Sequence, residues 1–185
     1  MKTKVLAVAV CLIVPFTFPA AQQSSSQQGE KTKHLEAMCP MHDAHSRSSG
    51  HSAVLNERGE KGMGFSQTAT THHFLIKPGG GVIEVEVNDP TDTTDRDNIR
   101  KHLAHIAQAF RDGDFDIPMF VHDTVPSGAA EMKRLREKIE YSFEETLAGG
   151  RVVIATADQE SLAAVHKFLL FQIEEHKTGD PTEGR

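Results

Sequence analysis

The feature that most constrains this chain is an internal echo. "THHFLIK", a Pro-Gly-Gly-Gly turn and "VIEVEVN" lead into a helical stretch, and the same order returns as "IEYSFEETL", "AGG", "RVVIATA" and a second helical stretch. Phe74, Gly80-Gly81, Ile83 and Val85 correspond at one constant offset to Phe143, Gly149-Gly150, Val152 and Ile154. After a three-residue deletion, Ile99 and Leu103 correspond to Val165 and Leu169, and "RDGD" and "KTGD" close the two helices at the same phase. The unit is strand–turn–strand–helix, twice. In "VIEVEVN", Ile83, Val85 and Val87 alternate with Glu84 and Glu86, so one face is buried and the other wet. A sheet built from two such hairpins has one face for water and one for helices. The expected fold is therefore α+β: a two-layer domain over residues 71–179, with an antiparallel sheet from two ββα repeats and both helices on one face.

The helices show the matching period. Ile99, Leu103, Ile106 and Phe110 form one stripe of the first, which Gly113 closes. Asp158 is placed to cap the second, whose core stripe is Leu162, Val165, Leu169 and Ile173. Between the repeats, "FDIPMFVHD" contains Pro118, which argues against a central strand and predicts an edge strand or a covering loop. Ser127 is placed to cap a short helix with Met132, Leu135 and Ile139 on one face.

The ends of the chain read differently. Lys2 and Lys4, an apolar run from Val5 to Phe18 and small residues at Ala20 and Ala21 have the layout of a secretory signal peptide over 1–21. That run is too short to span a bilayer, and no later stretch is long enough. The expected location is thus exported, periplasmic or extracellular. Cys11 allows a lipoprotein alternative, although Val10 precedes it where a small residue is expected. Removing the signal takes two lysines and no acids, and the formal charge goes from -6 to -8. An acidic chain lacks the electrostatic footprint for nucleic acid. Residues 22–70 are polar and rich in Ser, Gln and Gly, and they read as a disordered arm in which only Met63 and Phe65 are expected to dock. Residues 180–185 form a polar tail.

Within the arm stands "MCPMHDAH", residues 38–45. Thiolate, thioether and imidazole are the donors that select Cu(I), or zinc where Met stays out. Cys39, Met41 and His42 are the main candidate ligands, with Met38 and His45 able to complete the set. Cys39 is also the only cysteine after signal removal, so no intramolecular disulfide can form. The run Cys39-Pro40-Met41-His42 resembles the short heavy-metal-binding Cys-Pro-Met-His motif of bacterial envelope metal-efflux adaptors and copper-transporting ATPases. The resemblance covers those four residues only; Ala37 and Asp43 stand where the motif usually carries an aromatic residue and a proline. It implies binding of copper, silver, zinc or a similar ion.

The folded part offers secondary candidates. His102 and His105 are one helical turn apart, a spacing that can chelate one ion. His166 and His176 fall on the apolar stripe of the last helix, where a satisfied core histidine is the ordinary reading. If the two helices lie side by side, His102 and His166 could approach one another. His72 and His73 begin a strand and point to opposite faces, so they make a poor chelating pair. With Glu84 and Glu86 on the neighbouring strand they could build a zinc or non-haem iron site or supply a general base, but a solvated sheet face is the simpler reading.

No phosphate-binding loop, nucleophile elbow, paired-cysteine redox motif or covalent haem site is present. Trp is absent and Tyr141 is the only Tyr, which weakens carbohydrate-binding readings. The expected function is an exported, copper-type metal-binding protein that captures or hands over an ion in the cell envelope. The alternatives are an envelope protein–protein interaction module and, behind it, a metal-dependent enzyme using the folded-domain histidines.

Overall fold

A computed structural model describes residues 53–184. Its sheet holds four strands: β1 (Thr70–Lys77), β2 (Gly80–Val87), β3 (Glu140–Glu145) and β4 (Gly149–Ala155). Their order is β1-β2-β4-β3, and every neighbouring pair is antiparallel. Two long helices, α2 (Thr93–Asp112) and α5 (Gln159–His176), cover one face, as the repeat requires. Helix α1 runs over residues 53–63, and the short helices α3 (Asp116–His122) and α4 (Ala129–Arg134) lie between the repeats.

The register reveals the symmetry of the repeat. Ile83 of β2 pairs with Val152 of β4, and these are equivalent residues. Moving outward, Gly80 pairs with Ala155 and Glu86 pairs with Gly149, so a pseudo-twofold axis passes through the Ile83–Val152 pair. The glycines of the two turns obey it. A Cβ on Gly80 would run into the Ile154 carbonyl oxygen, and one on Gly149 into the Val85 carbonyl oxygen. Both must be glycine for the central strands to close on one another.

Inward residues alternate as the period demands. Phe74, Ile76, Ile83, Val85, Tyr141, Val152 and Ile154 meet Ile99, Leu103, Phe110, Val165, Phe168 and Leu169 in one core. The helices cross over, however. Helix α2 packs chiefly on β3 and β4, whereas α5 packs on β1 and β2. Each helix therefore shields the hairpin of the other repeat. Arg100 of α2 fixes this arrangement by donating to the carbonyls of Gly149 (3.0 Å) and Thr146 (2.6 Å) at the far turn.

Both long helices are capped by aspartates. Asp92 accepts from the Asp95 amide and Asp158 from the Ser161 amide. Three expectations need correction. "FDIPMFVHD" is neither strand nor loop; it forms α3, with Pro118 in the first turn, where an amide has no helical partner to lose. Ser127 caps nothing: α4 starts from Gly128 in the left-handed conformation with no side-chain cap. The stretch 53–69, read as the end of the arm, carries α1 and buries Leu55, while Phe65 and Met63 dock on the core as expected. Its few apolar residues are widely spaced, so no periodic signal announces the helix. The motif at 38–45 lies outside the described residues.

Candidate functional site

Four histidines from four elements line one apolar cavity: His72 (β1), His102 (α2), His122 (the last residue of α3) and His176 (the last residue of α5). The cavity measures about 60 Å³, and its other walls include Phe74, Leu103, Phe110, Val121 and Phe168. Met63, at the end of α1, and Gln172 complete it. No carboxylate is among the lining residues.

The rings form a continuous file. His102 stands edge-on to Phe65 at 5.6 Å between centroids, and Phe65 lies against His72 at 5.9 Å. His72 and His176 are near-parallel, with centroids 5.8 Å apart and planes 11° apart. His176 then meets His122 edge-on at 5.0 Å. His122 Nε2 lies 2.9 Å from Gln172 Oε1, and Glu175 sits outside the cavity with Oε2 4.0 Å from His122 Nδ1. His72 Nε2 and Gln172 Nε2 are buried polar atoms with no hydrogen-bond partner.

Burial keeps His72, His102 and His176 neutral near pH 7. It pushes the His72 value down to about 4, with the charge of His73 a lesser cause. It does the same to His102, also to about 4, assisted by His105 and His72. His176 is driven to about 3, again chiefly by burial, then by His72 and His122. A neutral imidazole in an apolar wall is a ready lone-pair donor, because no proton competes for it near neutral pH.

The pseudo-twofold axis shows that packing does not demand these histidines. Under the two offsets of the repeat, His72 corresponds to Tyr141, His102 to Phe168 and His176 to Phe110. Those three residues form the equivalent aromatic cluster of the other half, with Phe110 5.9 Å from Tyr141 and 5.6 Å from Phe168. The same three positions are thus filled once by hydrocarbon-rich rings and once by imidazoles. Burying an unpaired imidazole nitrogen costs stability that a phenyl ring would not.

The remaining candidates lie elsewhere. His105 is exposed on α2. His166 points to the β1–β2 turn, its Nε2 2.9 Å from the Lys77 carbonyl oxygen, and it is absent from the cavity that His102 lines. His73 faces the wet side and pairs with Asp180 at 2.9 Å, while Glu84 lies 3.9 Å from Arg151. His73 is therefore taken up by Asp180, and Glu84 faces Arg151. Among the described residues, no three His, Cys, Asp or Glu side chains converge on one metal position. Of the four pocket histidines only His102 was among the sequence-derived ligand candidates; His176 read as a core histidine, His72 as half of a poor strand pair, and His122 carried no signal. Reading each residue against its repeat mate would have exposed three of the four.

Fold and pocket together define an α+β domain with an imidazole-lined apolar cavity. No family model matches the chain, and no curated protein or solved structure is similar to it.

Proposed function

We propose that this chain is an exported transition-metal-binding protein whose α+β domain holds a metal centre in the imidazole-lined pocket. The observation that carries this reading is the substitution of His72, His102 and His176 for the aromatic trio of the symmetric half. Neutral imidazoles in an apolar wall act as ligands without first losing a proton. Cys39, Met41 and His42, with Met38 and His45, are a second, arm-borne copper- or zinc-type site, and the protein captures and hands over its ion. The work is binding rather than covalent chemistry.

Metal analysis of the full chain tests this. Loading with Cu(I), Zn(II) and Co(II) in turn is expected to leave metal bound at a site that survives replacement of Cys39 and is lost in the His72→Phe/His176→Phe double variant. If the double variant retains every metal that the parent binds, the pocket is not the site.

A second reading, an envelope interaction module, is favoured by one surface. Phe120 and Val54 are each 51% exposed and flank a shallow groove with Arg58 and Asp123. Loss of an envelope partner on Phe120→Ser, with metal content unchanged, would support it.

A further inference from the structure

The two edges of the sheet are finished differently. Phe74 of β1 and Phe143 of β3 are repeat mates, and each lies in an edge strand. At β1 the chain seals its own edge: the Phe74 amide donates to Asp180 Oδ2 at 2.9 Å, in the segment that follows α5. At β3 the equivalent position is open. Thr146 donates to Gly149 across the turn, so the bonded β3–β4 pairs fall at every second position from there. Tyr141, Phe143 and Glu145 therefore turn their amides and carbonyls away from β4. Arg111 takes the Tyr141 carbonyl at 2.7 Å. Among the described residues, nothing takes the amide or the carbonyl of Phe143.

We propose that β3 is a docking edge for a second copy of this chain, joined antiparallel with Phe143 facing Phe143, so that the two sheets run on as one.

Three observations select this occupant and this register. First, a twofold axis at Phe143 lets each copy's Phe143 amide donate to the other's Phe143 carbonyl, and both open groups are satisfied together. Second, the strand is compatible with its own reverse. About Phe143, Ser142 stands opposite Glu144, Tyr141 opposite Glu145 and Glu140 opposite Thr146. Acidic residues on an edge ordinarily hold like edges apart, yet in this register no carboxylate faces another. Sliding one copy by two residues sets Glu144 against Glu144 in one direction and against Glu140 in the other.

Third, the flanking charges and apolar surface suit a second copy. Arg151 already holds Glu144 at 2.6 Å. Arg111 lies at Tyr141, the residue that Glu145 of the other copy faces, so each end of the paired edge gains an arginine opposite a carboxylate. Leu147, 98% exposed in the β3–β4 turn, comes opposite Ile139 at the start of the other copy's β3. One strand from each copy makes a narrow contact, so the pair is weak, with a Kd of about 10–100 µM.

Sedimentation equilibrium of the full chain tests this, run in reductant and chelator so that neither a disulfide nor a bridging ion joins copies. A monomer–dimer equilibrium in that range is expected. Ser142 is exposed, so changing it leaves the core alone. Ser142→Glu sets a carboxylate against Glu144 twice in the symmetric pair and should weaken it by about fivefold or more, whereas Ser142→Lys should tighten it about threefold. Amide hydrogen exchange gives an independent readout. The Phe143 amide should slow as the concentration of chain rises, while the Phe74 amide, held by Asp180, keeps its rate. A chain that stays monomeric at about 0.5 mM overturns the proposal. So does a dimer indifferent to both Ser142 variants, or a Phe143 amide whose exchange ignores concentration.

Discussion

Replacing His72 and His176 by phenylalanine should make the metal-free protein more stable, and increasingly so as the pH falls. Position 176 would then hold the residue found at its repeat mate, Phe110. Position 72 would match Tyr141 without the hydroxyl, which is itself buried without a partner. At pH 7.5 both imidazoles are neutral, and the gain comes from removing a buried unpaired nitrogen, about 1–3 kcal/mol. Acidification adds to it. An unfolded histidine titrates near 6.5, whereas His72 and His176 in the fold titrate at about 4 and about 3. The unfolded chain therefore takes up protons first, and stability present above pH ~6.5 is lost as the pH falls toward those folded values. At pH 5.0 each histidine removes about 2 kcal/mol, hence about 4 kcal/mol for the two. That is a large part of the 5–15 kcal/mol typical of a domain. His102 is unchanged in both proteins and cancels. Urea denaturation of the full chain in chelator, followed by circular dichroism at pH 7.5 and 5.0, measures the gap between variant and parent. A gap that stays constant or narrows at pH 5.0 would refute the argument that burial holds these rings neutral.

Three further outcomes are expected. Gly80→Ala and Gly149→Ala each drive a methyl into a carbonyl of the opposing central strand, and each should cost more than about 2 kcal/mol in denaturation experiments. Phe65→Ala should cost about 3–5 kcal/mol, since that ring is 4% exposed within the core; a loss below about 1 kcal/mol would return residues 53–69 to the arm. Cys39→Ser should weaken Cu(I) binding at the arm far more than Met41→Leu, with His42→Ala between them, while the domain's thermal unfolding stays unchanged; equal Cu(I) affinity in Cys39→Ser would remove "MCPMHDAH" as a site.

What was legible in the sequence was whatever repeats or alternates. The hairpin glycines, the β2 alternation and the α2 stripe are local patterns, and the offset between the halves carried the single antiparallel sheet and the common helix face. Helix α1 was not legible because Leu55 finds its partners only in three dimensions. Helix α3 was hidden by Pro118, whose meaning depends on whether it falls in a first turn or an interior. The pocket was hardly legible. Only His102 stood among the candidates, His176 read as an ordinary core histidine of its stripe, and four rings drawn from four elements meet through tertiary packing that no spacing encodes.

The crossing of the helices bears on how the two halves depend on one another. A lone ββα segment would send its helix away from its own hairpin and leave that hairpin bare. Two copies of such a segment could satisfy each other only by trading helices, so the smallest self-sufficient form of this arrangement is an intertwined pair. Joining the two copies in one chain turns that exchange into an internal one. It also frees them from identity: with both halves encoded separately, one side of the axis can keep Tyr141, Phe168 and Phe110 as ballast for the fold while the other gives up the same three positions to imidazole.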